Sequence, residues 1–128
     1  MVSTAEDYYR FAQMLANGGE LDGARVLSRK TVAFMHANLI PPVQLPLELS
    51  GLPVPGYGFG LGSRVALDVA QTGSPGSVGE FGWSGAAKTD YWVDPVEQIV
   101  GVFMTQSMLS FDLPDADLKA LAYGAMVD

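Results

Sequence analysis

The stretch from Gly79 to Pro95 places a run of small residues, Ser84 to Ala87, between two tryptophans. After that run, Thr89, Tyr91 and Val93 alternate with other residues at the period of two that is typical of a half-buried strand. Glycine and alanine leave backbone N–H groups uncovered, so such a strand can present them to an oxyanion or a carbonyl oxygen. Alternatively, the glycines only allow a bulge or a tight bend between two sheet elements.

The size and composition restrict the class of protein. A chain of 128 residues predicts one compact domain or a piece of one. With 48% hydrophobic and 16% charged residues, the chain is globular in class rather than disordered. A net charge of −7 disfavours nucleic-acid binding. No apolar run reaches the roughly 18 residues of a membrane helix, so we expect no membrane span.

Metal and cofactor sites are not predicted. The absence of cysteine and the single histidine, His36, exclude disulfides, thiolate zinc sites and multi-histidine sites. We expect His36 to have a structural role near a helix end. The glycines at 58, 60 and 62 do not form a dinucleotide fingerprint, because no helical pattern follows them. The N-terminus shows no basic region followed by an apolar one, and the compartment stays open.

The first part of the chain predicts two helices. Ser3 to Glu6 is typical of a capping box in which the serine caps the helix, and the helix should run over residues 4–17 until Gly18 and Gly19. Leu21 to Leu27 contains an Asp-Gly turn or a very short hairpin. Ser28 caps a second helix through Val32, Met35 and His36, which the prolines at 41 and 42 should stop. Residues 43–55 suit an irregular connection.

The rest of the chain predicts strands and a closing helix. We expect one strand over residues 57–67, a loop over 68–77, a second strand in the 79–95 stretch and its hairpin partner over 98–106. Asp94 and Glu97 belong to the turn between the last two, as a solvated hairpin tip. Pro114 opens a final helix. The apolar face of that helix is predicted to consist of Leu118, Leu121, Ala122 and Ala125.

These elements predict an α+β fold with an antiparallel sheet of about three strands flanked by helices. We expect a single partial domain over residues 1–128. Its parts are a helical segment over 1–42, antiparallel strands over 56–108, and a C-terminal helix over 114–127 that packs on the sheet.

The known serine nucleophile motifs are absent. Gly82 to Ala86 is one residue short of a G-x-S-x-G elbow, and a strand pattern rather than a helix follows Ser84. No serine has a lysine three residues later, the spacing that would place both on one helical face. On a strand, Ser84 and Lys88 would lie on the same face about 13 Å apart.

Four segments in this order resemble the C-terminal portion of the serine β-lactamase and penicillin-binding-protein-like family, and specifically its class C β-lactamase-related esterase branch. They are residues 3–19, 27–32, 57–62 and 81–95. The resemblance covers most of the chain and implies the C-terminal part of a β-lactamase or transpeptidase-like fold.

In that family, an S-x-x-K motif supplies the nucleophile and its base, and a third motif lies on the strand that borders the site. This motif is K-T-G in β-lactamases and often W-x-G in the esterase branch, and Trp83-Ser84-Gly85 matches it. The resemblance implies that Trp83 and Gly85 contact the substrate, that Ser84 is its polar neighbour, and that the Ala86 backbone N–H is one of two oxyanion donors. Tryptophan in place of lysine weakens carboxylate recognition, so an ester is favoured over a β-lactam.

Because S-x-x-K, Y-x-N and S-x-N are all missing, we expect a C-terminal fragment or the product of a truncated gene, inactive alone. An uncovered sheet edge predicts self-association or pairing with the missing N-terminal portion. Two alternatives stay open. One is a non-catalytic module that binds a small apolar ligand or a peptide strand. The other is a self-sufficient hydrolase that uses Ser84.

Overall fold

The structure, a computed structural model, describes residues 2–108 and 115–127. The first helix, α1, spans Ala5–Ala16. Its cap is Thr4, whose Oγ1 accepts from the Asp7 N–H at 3.1 Å, so the predicted serine cap is wrong by one residue. Thr4 itself is extended, so the helix begins one residue later and its third N–H belongs to Asp7. Gly18 and Gly19 follow with φ of 67° and 96°, which confirms the predicted termination.

A small hairpin and a second helix follow. Strands β1 (Glu20–Leu21) and β2 (Ala24–Arg25) pair across Asp22 and Gly23, both with positive φ, so the predicted short hairpin is confirmed. Helix α2 spans Arg29–Met35, and Ser28 Oγ accepts from the Thr31 N–H at 3.0 Å, as predicted.

Helix α2 runs through Val32 and Met35 to its C-cap His36, as predicted. The prediction that the prolines at 41 and 42 stop it is wrong, because the helix ends well before them. The Met35 carbonyl accepts from the Leu61 N–H at 2.7 Å, and Leu39 N–H donates to the Phe59 carbonyl at 2.8 Å. Through these hydrogen bonds, the residues around the end of α2 bind to the segment 59–61 of the sheet region, and the helix does not continue.

The predicted irregular connection over 43–55 is also wrong. Pro42–Gln44 forms one 3₁₀ turn, and strands β3 (Leu47–Leu49) and β4 (Leu52–Val54) pair as a hairpin. Ser50 and Gly51 close the hairpin with φ of 53° and 77°, the left-handed pair that a two-residue turn requires.

The main sheet has five antiparallel strands in sequential order: β5 (Tyr57–Phe59), β6 (Arg64–Ala66), β7 (Phe81–Ser84), β8 (Asp90–Asp94) and β9 (Ile99–Phe103). The α+β class with an antiparallel sheet flanked by helices is confirmed. The count of about three strands is wrong, because the chain folds back within each of two predicted strands. Gly60 N–H bonds the Ser63 carbonyl at the first of these turns. A short helix, α3 (Val69–Thr72), lies in the predicted loop, with the Asp68 side chain as its cap.

The strand register separates the two faces of the sheet. Phe81 pairs with Val93, and Trp83 with Tyr91, so these four side chains share one face. They form the hydrophobic core with Ala12 and Leu15 of α1 and Val32 of α2. On the other face, Trp92 is 5% exposed and lies between Gly82 and Gly101 of the neighbouring strands. All five residues of β8 are buried, so the expectation of a half-buried strand is wrong.

The last helix, α4, spans Asp115–Gly124; the predicted start at Pro114 lies outside the described residues. The predicted apolar face is wrong, because Leu121 is 72% exposed and Ala125 is exposed too, whereas Lys119 is buried. Lys119 and Tyr123 reach carboxylates of the sheet region, so polar contacts hold this helix in place.

Candidate active site

The turn between β7 and β8 is the centre of the candidate site. Gly85 N–H donates to the Thr89 carbonyl at 2.8 Å, and Lys88 N–H donates to the Gly85 carbonyl at 3.0 Å. Lys88 has a φ of 60°, whereas Ala86 and Ala87 do not have positive φ. This pattern is a type I turn followed by a left-handed residue, a common three-residue hairpin loop. The expectation that Ser84 and Lys88 share one face of a continuous strand is therefore wrong.

The Ala86 N–H is available at this turn. Ala86 is exposed and occupies the second position of the turn, where the hydrogen bonds of the loop do not use its N–H. In the part of the chain that the structure describes, no backbone or side-chain acceptor takes this N–H. The turn therefore presents a backbone donor directly after Trp83-Ser84-Gly85.

Trp83 lies half-buried at the end of β7. It pairs with Tyr91 across the strands, and its ring meets Phe59 edge-on with centroids 4.9 Å apart. Gly85 follows without a side chain; a Cβ there would press against Thr89 Oγ1. Trp83 and Gly85 thus shape the surface next to the turn.

Ser84 is half-buried and pairs with Asp90. Among residues 2–108 and 115–127, no base hydrogen-bonds to its hydroxyl. Within those residues, His36 makes no hydrogen bond to Ser84; its Nδ1 lies 2.9 Å from the Val32 carbonyl oxygen, and its ring stacks on that of Phe81 with centroids 3.5 Å apart. Burial lowers the pKa of His36, with the backbone bond to Val32 acting in the opposite direction. The histidine has a structural position at the end of α2, as predicted.

A pocket of about 160 Å³ opens beside Ser84 and Gly85. Aromatic and thioether side chains form much of its surface, together with small polar residues. Its described lining consists of Tyr8, Trp83, Ser84, Gly85, Thr89, Asp90, Tyr91 and Met104. No sequence signal distinguishes Tyr8, since this residue follows the ordinary helical spacing of core positions.

A second set of residues, which the sequence pattern does not predict, lies under α4. Lys119 Nζ bonds Glu80 Oε1 at 2.6 Å, and Tyr123 Oη lies 2.7 Å from Asp94 Oδ2 and 3.2 Å from Glu80 Oε2. Asp94 also accepts hydrogen bonds from the Val96 and Glu97 N–H groups, which confirms the predicted turn. The predicted solvation of this turn is wrong for Asp94, because its side chain is fully buried. This cluster holds α4 against the sheet; it does not contact Trp83 or Ala86.

The sequence model of the family described as Beta-lactamase matches residues 1–124. This chain belongs to the β-lactamase family. It is 36% identical to protein Rv1367c of Mycobacterium tuberculosis (strain ATCC 25618 / H37Rv) over 124 residues, and this match covers 94% of this chain and 30% of that protein. It is 35% identical to the esterase/beta-lactamase LipL of the same strain over 86 residues, and this match covers 56% of this chain and 20% of LipL.

A solved structure shares the fold of this β-lactamase family member. EstCE1, a hydrolase with promiscuous acyltransferase activity, superposes with a TM-score of 0.72 at 22% identity, covering 92% of this chain and 28% of that one. The chain thus spans less than a third of the length of Rv1367c and of EstCE1.

Membrane spans and metal sites are both absent from the described residues. None of the helices in residues 2–108 and 115–127 is long and apolar enough to cross a membrane. In those same two ranges, no group of three or more His, Asp or Glu side chains is placed to hold a metal ion.

Proposed function

We propose that this chain supplies the carbonyl-binding side of the active site of a serine ester hydrolase that works through an acyl-enzyme. The observation that carries the proposal is that Ala86, an exposed residue at the second position of a tight turn, has a backbone N–H with no acceptor among the described residues. A backbone donor that is fixed before the reaction stabilises the negative charge of a tetrahedral intermediate without reorganisation.

The neighbouring residues have separate roles in this proposal. Ala86 N–H donates to the developing oxyanion, and Gly85 lets the substrate carbonyl approach because it has no side chain. The Ser84 hydroxyl is a polar neighbour of the substrate, and Trp83 borders the substrate pocket. The membership in the β-lactamase family supports these assignments, which follow the W-x-G form of the third motif.

The nucleophile lies outside this sequence in our proposal. The sequence contains no S-x-x-K, and within the described part of the chain Ser84 has no base in hydrogen-bond contact. We therefore expect the attacking serine and its lysine to come from another polypeptide segment, and this chain to be inactive alone. An ester is the proposed substrate, since Trp83 stands where a lysine would otherwise pair with a carboxylate.

The experiment compares the chain alone with a fusion. The fusion is Rv1367c in which residues 1–128 of this chain replace the matching segment, which is 30% of that protein. Both proteins are exposed to a serine-directed fluorophosphonate and analysed by intact mass, and both are assayed with p-nitrophenyl butyrate. We expect no adduct and no turnover for the chain alone, and both for the fusion.

Two outcomes would contradict the proposal. Labelling of the chain alone, abolished by Ser84→Ala, would identify an autonomous nucleophile. A folded fusion that is labelled on a serine outside residues 1–128 but turns over no ester would show that this chain does not complete an ester hydrolase.

A second candidate is a non-catalytic peptide-binding module. It is favoured by the edge of the main sheet, because β9 pairs with β8 alone among the described strands. An extended peptide adds to such an edge through backbone hydrogen bonds. Line broadening confined to the β9 amides on addition of a peptide, in a fusion without turnover, would favour this candidate.

A further inference from the structure

We infer that the pocket beside Ser84 and Gly85 binds a compact, uncharged hydrocarbon group of the ester substrate, either aryl or short branched alkyl. This inference rests on the proposed function, because it assigns a substrate class to the same site. Nothing in the W-x-G motif itself specifies such a group.

The position of the pocket links it to the carbonyl site. Ser84 and Gly85 line the pocket and lie directly before Ala86, whose N–H is the proposed oxyanion donor. A group that fills the pocket is therefore attached close to the carbonyl carbon, on either its acyl or its alcohol side. Both sources have the same chemistry, a small apolar group next to an ester.

The volume of the pocket matches that of a small aryl or branched alkyl group. Its volume is about 160 Å³, and an apolar cavity of about 150 Å³ accommodates benzene. The ring of Tyr8 meets that of Tyr91 edge-on, with centroids 5.1 Å apart and an interplanar angle of 61°, and these rings with Trp83 form aromatic walls. Such walls favour a flat or branched group over a long flexible chain.

The charges of the pocket exclude an anionic group. Asp90 is the one formally charged residue in the described lining, and its side chain is fully buried, with Arg64 Nη2 at 3.6 Å. Burial raises the pKa of the Tyr8 hydroxyl, and burial with the nearby Tyr8 raises that of Tyr91 to about 12, so both phenols stay neutral. The lining residues that the structure describes thus offer neutral donors and no accessible cation, which suits an uncharged ligand.

Tyr8 is the position that tests the pocket, because α1 supplies a matched control. Tyr8 lines the pocket, whereas the adjacent Tyr9 is 46% exposed and its hydroxyl contacts Gln13 on the surface. Tyr8→Ala removes one aromatic wall, and Tyr9→Ala makes the same change outside the pocket. Tyr8→Phe keeps the wall and removes only the hydroxyl.

The experiment titrates the ¹⁵N-labelled chain with methyl benzoate and follows the two tryptophan indole N–H signals. Trp83 lines the pocket, and the buried Trp92 lies on the other face of the sheet and serves as the internal control. We expect the Trp83 signal to shift saturably with a dissociation constant of about 1 mM or lower, and the Trp92 signal to stay. Sodium benzoate should give no shift at the same concentrations.

The variants decide the assignment. Tyr8→Ala should weaken methyl benzoate binding by at least about tenfold. Tyr8→Phe, which keeps the aromatic wall, should weaken it less than Tyr8→Ala does, and Tyr9→Ala should bind as the parent chain does. An unchanged Trp92 signal verifies that each variant is folded. No saturable shift of Trp83, equal binding of benzoate, or equal binding by folded Tyr8→Ala would overturn the inference.

Activity of the fusion separates this inference from the proposed function. If methyl benzoate binds to the chain but the fusion hydrolyses no ester, the pocket assignment is supported and the proposed function is wrong. If the fusion hydrolyses esters but methyl benzoate does not bind to the chain, the proposed function is supported and the pocket assignment is wrong. If the fusion hydrolyses esters, the Tyr8→Ala substitution is then made in it. A change in its relative rates on p-nitrophenyl acetate, butyrate and benzoate would assign the pocket to the acyl group. A change in the relative rates on methyl, isobutyl and benzyl butyrates would assign the pocket to the alcohol group. Unchanged relative rates in both series would also overturn the inference.

Discussion

Lys119 Nζ lies 2.6 Å from Glu80 Oε1, and the side chains of both residues are 3% exposed. The pair joins α4 to the residue directly before β7. Lys119→Met leaves the buried Glu80 carboxylate without its ionic partner and, among the described residues, with only the 3.2 Å contact to the Tyr123 hydroxyl. We therefore expect the free energy of unfolding to fall by about 3–5 kcal/mol. Urea denaturation measures this loss. The double variant Lys119→Met with Glu80→Met should be more stable than Lys119→Met alone, and a negligible loss in the single variant would show that the pair is solvated.

The Tyr123 hydroxyl provides a second bond between α4 and the sheet. Burial and the hydrogen bond to Asp94 raise the pKa of Tyr123 far above its ordinary value, so the hydroxyl keeps its proton and donates. Tyr123→Phe removes a donor from a buried carboxylate and should lower the free energy of unfolding by about 1.5–3 kcal/mol.

The control for this substitution is Tyr9→Phe, which removes a hydroxyl that contacts Gln13 on the exposed side of α1. We expect an effect within about 0.5 kcal/mol there. Equal effects of the two substitutions in thermal or urea unfolding would contradict the buried contact to Asp94.

Gly101 on β9 is predicted to resist substitution for a purely steric reason. Its backbone φ is not positive, but a Cβ at this position would overlap the Trp92 indole ring. Gly101→Ala should therefore destabilise the protein by about 1–3 kcal/mol. A Cβ at Gly124 would meet no atom of the described residues within 4 Å, so Gly124→Ala is the matched control and should be close to neutral. Comparable losses in both variants would count against the packing of Trp92 on β9.

His36 makes stability depend on pH in a defined direction. Burial lowers its pKa in the folded state below the ordinary 6.5, so the unfolded chain takes up a proton more readily. This contribution to stability is complete above the unfolded pKa and is lost as the pH falls below it, with a slope of at most about 1.4 kcal/mol per pH unit. Urea unfolding between about pH 7.5 and pH 5.5 should show this loss in the parent chain and a smaller one in His36→Gln. An equal slope in both would mean that His36 titrates normally.

Local signals in the sequence predict the helix starts and the simplest turn. Side-chain caps, the glycines after α1 and the Asp22-Gly23 pair act through neighbouring backbone groups, so a sequence pattern contains the whole interaction. The β7–β8 turn has no such signal, because Lys88 rather than glycine takes its left-handed position. Without a glycine or proline there, the alternation of residues continues through the turn and predicts one strand.

The buried polar cluster and the pocket depend on contacts distant in sequence. Lys119 pairs with Glu80 across 39 residues, and Tyr123 reaches Asp94 across 29. In the sequence, each of these residues is typical of a solvated charge or of a helix face. Their partners are visible only once the sheet is assembled. The W-x-G segment, by contrast, consists of consecutive residues in a single strand and its turn. A sequence motif can therefore identify it without knowledge of distant contacts.

The most direct test of the central claim is the rate of ester hydrolysis by the fusion when Ala86 is replaced by proline. Proline removes the backbone N–H and is favoured at the second position of a type I turn, so the hairpin should remain folded. Ala86→Ser is the control because it changes the side chain and retains the N–H. If the Ala86 N–H donates to the oxyanion, kcat of Ala86→Pro should fall about 100- to 1000-fold below that of Ala86→Ser. A folded Ala86→Pro fusion that hydrolyses p-nitrophenyl butyrate at the rate of Ala86→Ser would contradict the account.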